Sequence, residues 1–274
     1  MNKKINATLV GVSFALAACG GGSDKSGPDG ERYENSGKIA PIPTAEQKLT
    51  DDVSAMTYDP ATDTLTIGGD PFDLAGTFER VPQKDVRGFA AFENKTGARR
   101  YTALVQTDTA NGLAAGVVGT PFRLDREFGG TMLARSRTPT MPTNVELTHV
   151  GDYAGVRNVG TNNGADTSES FLHRVEGKVR LDLDFFDDRP MGAVEGVIYD
   201  RRSMDETEVV DEKSQNVAYD DVVLVFTDID AAGNFSGTAT GGTYTGIIAG
   251  DDAAASAGVV DLGVERGAFI ARTK

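Results

Sequence analysis

From Val175 to Phe185 the chain alternates without a break. Val175, Gly177, Val179, Leu181, Leu183 and Phe185 share one parity, and Glu176, Lys178, Arg180, Asp182 and Asp184 share the other. Successive side chains of a strand point to opposite faces, so this pattern specifies a strand with one apolar and one charged side. An antiparallel sheet with one face on a core and one in water requires that division.

The surrounding sequence repeats the theme in shorter pieces. Strands are expected at Asp152 to Val156, Ala193 to Tyr199, Val222 to Thr227, Asn234 to Thr240, Thr243 to Ala249, Val259 to Leu262 and Ala268 to Arg272. Asp187-Asp188-Arg189-Pro190 breaks the long strand. About eight strands in some 125 residues fit an antiparallel closure that leaves no free edge. A two-sheet sandwich is the alternative. Thr138 to Asn144, with Pro139 and Pro142, marks a boundary before this region.

The region from Thr50 to that boundary is also β-rich. Tyr58 to Asp63 and Gly68-Gly69-Asp70-Pro71 read as turns flanking a strand at Thr64 to Ile67. Gly88 to Phe92, Ala114 to Thr120 and Thr131 to Ala134 are further strands. After Lys95-Thr96-Gly97, Tyr101, Ala103 and Val105 share one face and Thr102, Leu104 and Gln106 the other. No segment keeps a helical period with caps, so the fold class is all-β.

The N-terminus differs from both regions. Lys3 and Lys4 precede an apolar stretch from Ile5 to Ala18, too short to span a bilayer, which reads as a secretory signal. Its exit, Leu16-Ala17-Ala18-Cys19, resembles a bacterial lipobox, which implies acylation of Cys19 and cleavage just before it. Several acyl chains hold a membrane far better than one. Gly20 follows where Asp typically goes with inner-membrane retention, so the resemblance implies the outer membrane. Gly20 to Lys48 is poor in apolar residues and reads as a disordered stalk with a reach of about 30 Å, stiffened by Pro41 and Pro43. The expected organisation is a signal peptide (1–18), a lipid-anchored tether (19–48), a β-rich domain (49–144) and a barrel (145–274).

Cys19 is the only cysteine, so the chain forms no internal disulfide. Without Lys3 and Lys4, 25 basic residues stand against 41 acidic, a net charge of −16. That field repels nucleic acid and anionic headgroups and favours basic partners, although spread acids also serve solubility.

Four local patterns resemble the barrel domains of surface lipoproteins such as transferrin-binding protein B and factor H-binding protein. They are Gly151-Asp152-Tyr153-Ala154-Gly155; the alternating strand from Gly177 to Phe185; Gly233-Asn234-Phe235-Ser236-Gly237 followed by Gly242 to Gly250; and Ala253 to Val260 before Gly267-Ala268-Phe269-Ile270. Glycines in such strands let the backbone curve tightly while intervening aromatics fill the interior. The resemblance implies a handle-like N-terminal domain, a C-terminal eight-stranded barrel and surface display. It leaves the ligand open: a macromolecule or a nutrient carrier, one for iron or haem included.

Catalytic signals are sparse. His149 and His173 are the only histidines, and Gly-x-Ser-x-Gly, His-Glu-x-x-His and P-loop patterns are absent. His173 reads as a surface or turn residue, and an acylated Cys19 is no nucleophile. Asp182 and Asp184 stand about 7 Å apart on one strand face, a separation that could suit a glycosidase pair. A solvated face shared with Lys178 and Arg180 explains them better. Asp228, Asp230 and Asn234 near Gly233 read as a polar turn rather than a calcium loop, and Asp220-Asp221 and Asp251-Asp252 as turn residues. No catalytic residue, cofactor or metal site is therefore assigned. The default binding surface is loops, the longest being Arg201 to Asp221, with Met204, Glu206, Glu208, Asp211, Glu212 and Tyr219. The expected function is non-catalytic capture by a surface lipoprotein. A periplasm-facing assembly role is the alternative.

Overall fold

The structure, a computed structural model, describes residues 37–69, 75–94, 100–121, 129–159, 171–186, 191–205, 207–209, 212–214 and 217–274. Cys19, the signal, most of the expected stalk, and the expected turns at Asp70-Pro71, Lys95 to Gly97 and Asp187 to Pro190 lie outside these residues. Among the described residues no helix is long and apolar enough to cross a membrane.

The first β region contains β1 (Glu46–Leu49), β2 (Val53–Asp59), β3 (Thr64–Gly69), β4 (Gly76–Arg80), β5 (Ala90–Asn94), β6 (Tyr101–Asp108), β7 (Leu113–Gly119) and β8 (Gly129–Arg135). From β2 to β8 each strand pairs antiparallel with the next, and β1 pairs with the far side of β8. The amides of Thr50 and Asp52 donate to Thr131 O and Gly129 O at 3.1 and 3.0 Å before the chain turns into β2. The sheet thus comes nearly full circle around Met56, Leu65, Phe78, Phe92, Tyr101 and Met132.

Two expectations need correction here, and one strand was not expected. Ile39 and Ile42 are buried in this core, and β1 begins at Glu46, so the last residues assigned to the stalk belong to the fold. Two isoleucines spaced by Ala40 and Pro41 are enough to bury a segment whose average composition is polar. The turn expected from Tyr58 is shorter, because Tyr58 and Asp59 complete β2, and Asp59 then accepts from the Ala61 amide and the Thr62 hydroxyl at 2.8 Å each. β4 carried no alternating signal, since Gly76–Arg80 buries only Phe78 fully.

The second region opens with β9 (Glu146–Val159), β10 (Phe171–Asp184) and β11 (Ala193–Ser203). The hairpin β12 (Thr207–Val209) and β13 (Glu212–Ser214) and short β14 (Ala218–Tyr219) follow. It ends with β15 (Val222–Asp228), β16 (Asn234–Ala239), β17 (Gly242–Ala249), β18 (Ala255–Asp261) and β19 (Glu265–Thr273). Eight of these close on themselves in the order β11-β10-β9-β19-β18-β17-β16-β15, with β15 returning to β11. The alternating segment fills β10 from Val175 onward and ends just beyond it at Phe185, its apolar parity inside.

Glycine and aromatic positions interlock within the barrel. A Cβ on Gly246 would lie 2.1 Å from the Phe235 ring, one on Gly258 2.1 Å from Phe269, and one on Gly267 2.1 Å from the Tyr153 hydroxyl. These rings take the space that side chains at the glycines would occupy. With Val175, Val179, Leu181, Leu183 and Tyr244 they fill the barrel as a core.

The two regions meet through their outer walls. Ala91, Leu104, Ala115, Val117 and Leu133 of β5–β8 pack on Ala154, Val156, Ile247, Ala257, Val259, Ala268 and Ile270 of the barrel. The many alanines bring the walls close, and β7 and β8 are buried on both faces as a result. Arg135, only 1% exposed, crosses this seam. It donates to Glu46 at 2.7 and 3.0 Å and to Ile248 O at 3.0 Å. Arg272 reaches Asp108 at 2.8 Å, and Arg174 donates to Lys84 O at 2.6 Å.

Candidate binding surface

One end of the barrel is sealed by a buried polar network. Glu265 at the start of β19 accepts from Tyr153 at 2.6 Å, Arg201 at 2.6 Å and Arg157 at 3.1 Å. Register explains the meeting: Glu265 lies opposite Arg157 on β9, while Arg201 lies opposite Tyr219 on β14. The Tyr219 ring lies under both guanidiniums, 4.5 Å from Arg157 and 5.7 Å from Arg201. Burial, then the Glu265 charge, holds the Tyr153 hydroxyl far above its ordinary range. Burial alone would lower the Arg201 value, but Glu265 outweighs it and the net shift is upward. The arrangement gathers three donors on one buried carboxylate.

His173 stands beside this network, and the expectation of an exposed or turn histidine fails. It is 4% exposed, with Nδ1 3.1 Å from Ser203 Oγ. Burial lowers its pKa although the Asp205 charge acts the other way. The reason is parity: β10 begins at Phe171, four residues before the clean alternation, and His173 falls on its inward side. His149 also points inward, opposite Leu181, with Nδ1 2.8 Å from Ser256 Oγ. Burial lowers its pKa to about 4.

The segment from Arg201 to Asp221 is not an open loop. β11 continues to Ser203, β12 and β13 pair as a hairpin, and β14 rejoins β11. Asp205 accepts from the Arg174 amide at 2.7 Å and its guanidinium at 2.5 Å. Those bonds outweigh burial and depress its pKa. Met204 and Tyr219 pack against cores, while Glu206 and Asp211 and the side chains of Glu208 and Glu212 lie outside the described residues. The sequence suggested a loop because its polar residues conceal short pairing segments.

The remaining carboxylate candidates are placed plainly. Asp182 accepts from Thr148 Oγ1 at 2.8 Å and Arg180 at 3.0 Å on the outer face of β10, and Asp184 accepts from the Phe186 amide at 2.9 Å. Asp230 accepts from the amides of Ala232 and Asn234 at 2.9 and 2.7 Å and from Asn234 Nδ2 at 2.8 Å, the polar turn expected there. Asp251 and Asp252 begin a single 3-10 turn, and Asp220 and Asp221 lie between β14 and β15. Among the described residues no three of His, Cys, Asp and Glu group as a metal site.

Sequence reasoning missed the outer wall around β15. Ala193 pairs with Asp228 and Val194 with Thr227, but Gly196 pairs with Leu224. Glu195 therefore faces two residues, Val225 and Phe226. Such a bulge turns both side chains to one side, and here Val225 and Phe226 are 48% and 45% exposed. Val223 is exposed on the same wall. The bulge is held by side chains, with Tyr244 Oη donating to Val225 O at 2.5 Å and Thr227 Oγ1 to Ser236 O at 2.8 Å. Burial, with Glu195 nearby, pushes the Tyr244 pKa up to about 12, so it remains a donor. Phe226 borders a groove of about 380 Å³ that also meets Glu146, Asp182, Asp184, Glu195 and Arg180. Among the described residues, all seven exposed large hydrophobics belong to the second region, including Phe186 and Met191 beside the start of β11.

No protein-family model and no curated protein matches the chain. Among solved structures it is similar to a double mutant of transferrin-binding protein B from Haemophilus parasuis Hp5. The identity is 15%, over 82% of this chain and 45% of that one, with a TM-score of 0.41. Isotype 1 transferrin-binding protein B from serogroup B Neisseria meningitidis gives 15%, 83%, 42% and 0.42. A surface lipoprotein gives 14% identity over 85% of this chain and 96% of that one, with a TM-score of 0.39. The chain spans less than half the length of the two transferrin-binding proteins.

Proposed function

We propose that this chain is a lipid-anchored, surface-displayed binding protein that captures a protein ligand on the outer wall of its C-terminal barrel and does not transform it. The observation that carries the reading is the exposure of Val223, Val225 and Phe226 on a barrel whose interior is already filled. Exposed apolar groups gathered on one side of a folded protein mark interaction surfaces, and a wall suits a macromolecule better than a small enclosed ligand. The lipobox at Cys19 supports the anchor: acyl chains hold the base, residues up to about Gly37 form the tether, and the β regions present the wall. A protein nutrient carrier, including one for iron or haem, is within this class.

Labelling cells with radioactive palmitate tests the anchor. The chain takes up label, and Cys19→Ala does not. Protease applied to intact cells tests display, since loss of the barrel with periplasmic controls intact is the expected result. Full protection, with digestion after lysis, moves the barrel inward and overturns surface capture in favour of an envelope-assembly role. Crosslinking on intact cells tests capture, and a chain that crosslinks to no extracellular or envelope protein ends the binding reading.

A further inference from the structure

We infer that the β15 bulge and the carboxylates beside it dock a basic, extended polypeptide segment, with apolar side chains seated on Val225 and Phe226 and lysine or arginine directed at Glu195, Asp182 and Asp184. The inference rests on the binding role proposed above and names the chemistry of its partner.

Charge on the wall selects the occupant. The groove is lined by four carboxylates, Glu146, Asp182, Asp184 and Glu195, and one guanidinium, Arg180. Arg180 is already engaged, 3.0 Å from Asp182. A net charge of −3 therefore borders the apolar ridge, on a chain that itself carries −14. A second copy would set this acidic face against itself, and anionic headgroups or nucleic acid would be repelled likewise. A basic polypeptide meets both parts of the surface at once. Apolar contact supplies the anchor, while the charges steer approach and choose the partner.

Geometry favours an extended segment. Asp182 and Glu195 are direct cross-strand partners, and Glu195 in turn faces Val225 and Phe226 across the bulge. The acidic and apolar groups thus lie in one row running across β10, β11 and β15. An extended chain places alternate side chains on one side about 6.6 Å apart, between one and two of the ~4.8 Å steps that separate neighbouring strands. Positions two apart on a bound segment can then meet the ridge and the carboxylates in turn. The surface needs no rearrangement, because Tyr244 and Thr227 hold the bulge in the free protein.

The test uses the soluble chain from Gly20 onward and a fluorescent decapeptide in which leucine and lysine take turns at every second position with serine between them, so that both share one face of the extended chain, read by anisotropy. Two control peptides replace lysine with glutamate or leucine with serine. Binding of the lysine–leucine peptide alone, weakening as salt rises, is expected. Phe226→Ser and Glu195→Lys should each weaken it by about tenfold or more. Both positions are exposed, and thermal unfolding checks that each variant keeps its fold. Equal binding of all three peptides, no binding of any, or full affinity in both variants overturns the inference. So does a wild-type dimer in sedimentation that Phe226→Ser dissolves, since a second copy would then be the occupant. Cellular crosslinking separates this result from the broader reading. A captured protein that survives both substitutions leaves the binding role intact and removes only this site.

Discussion

Acid should weaken this fold through His149 in a way that can be sized beforehand. The imidazole is fully buried inside the barrel, and burial lowers its pKa to about 4 from an ordinary 6.5. Below pH 6.5 the unfolded chain binds a proton at this position, whereas the folded chain resists until about pH 4. The contribution to stability is therefore complete above pH 6.5 and is lost as pH falls toward 4. At pH 4 the protonation equilibria favour the unfolded side by a factor of roughly 160, or about 3 kcal/mol. The measurement is urea unfolding of the soluble chain at steps from pH 8 to 4, beside His149→Gln, which keeps a polar contact for Ser256 and does not titrate. The variant starts lower at pH 8 because packing changes. Its stability should then fall by about 3 kcal/mol less than that of the wild type over the range. Carboxylates and His173 titrate in both proteins and cancel in the comparison. Parallel pH curves would refute the argument, because they would mean that His149 gains a proton as readily in the fold as outside it.

Other substitutions probe the remaining structure. Glu265→Ala leaves Arg201 and Arg157 facing each other without their shared carboxylate, and calorimetry should show a loss of about 3–5 kcal/mol. Gly246→Ala sets a methyl group 2.1 Å from the Phe235 ring. It should cost about 1–3 kcal/mol in denaturant unfolding, partly recovered by adding Phe235→Leu. Arg135→Ala removes the side chain that joins Glu46 to Ile248 O across the seam. Hydrogen exchange should speed up in β1 and at the end of β17 more than in β10.

The parts of this fold that were legible in the sequence are those where one face meets water. Val175 to Phe185 shows its period because Lys178, Arg180, Asp182 and Asp184 are solvated. Tyr101 to Gln106 was also divided correctly into two faces, yet both are buried, since Leu104 lies under the second region. A strand enclosed on both sides loses polar alternation, and Ala114 to Thr120 became an apolar run for that reason. The tether boundary was missed because Ile39 and Ile42 act as two isolated anchors. The sealing network could not be read either: Glu265 and Arg201 are 64 positions apart and meet only through barrel closure. Val222 to Thr227 reads only as a strand, because a one-residue mismatch with β11 leaves no mark in composition.

The position of that mismatch follows from how the rest of the wall is used. The outer faces of β9, β17, β18 and β19 lie under β5–β8, so substitutions there are tied to the seam between the two regions. The first half of β10 is also engaged, with Glu176 in ion pairs to Arg87 and Arg202. Among the described residues, what stays open is the second half of β10, the start of β11, and β15 with its neighbour β16. A regular β15 would alternate there, showing water one apolar group at every second position. The bulge instead places Val225 and Phe226 side by side, each partly exposed. Glu195 opposite them, and Asp182 and Asp184 beyond, then act in two ways. They discourage self-association of the exposed pair, and they restrict the partners that can cover it to those carrying positive charge.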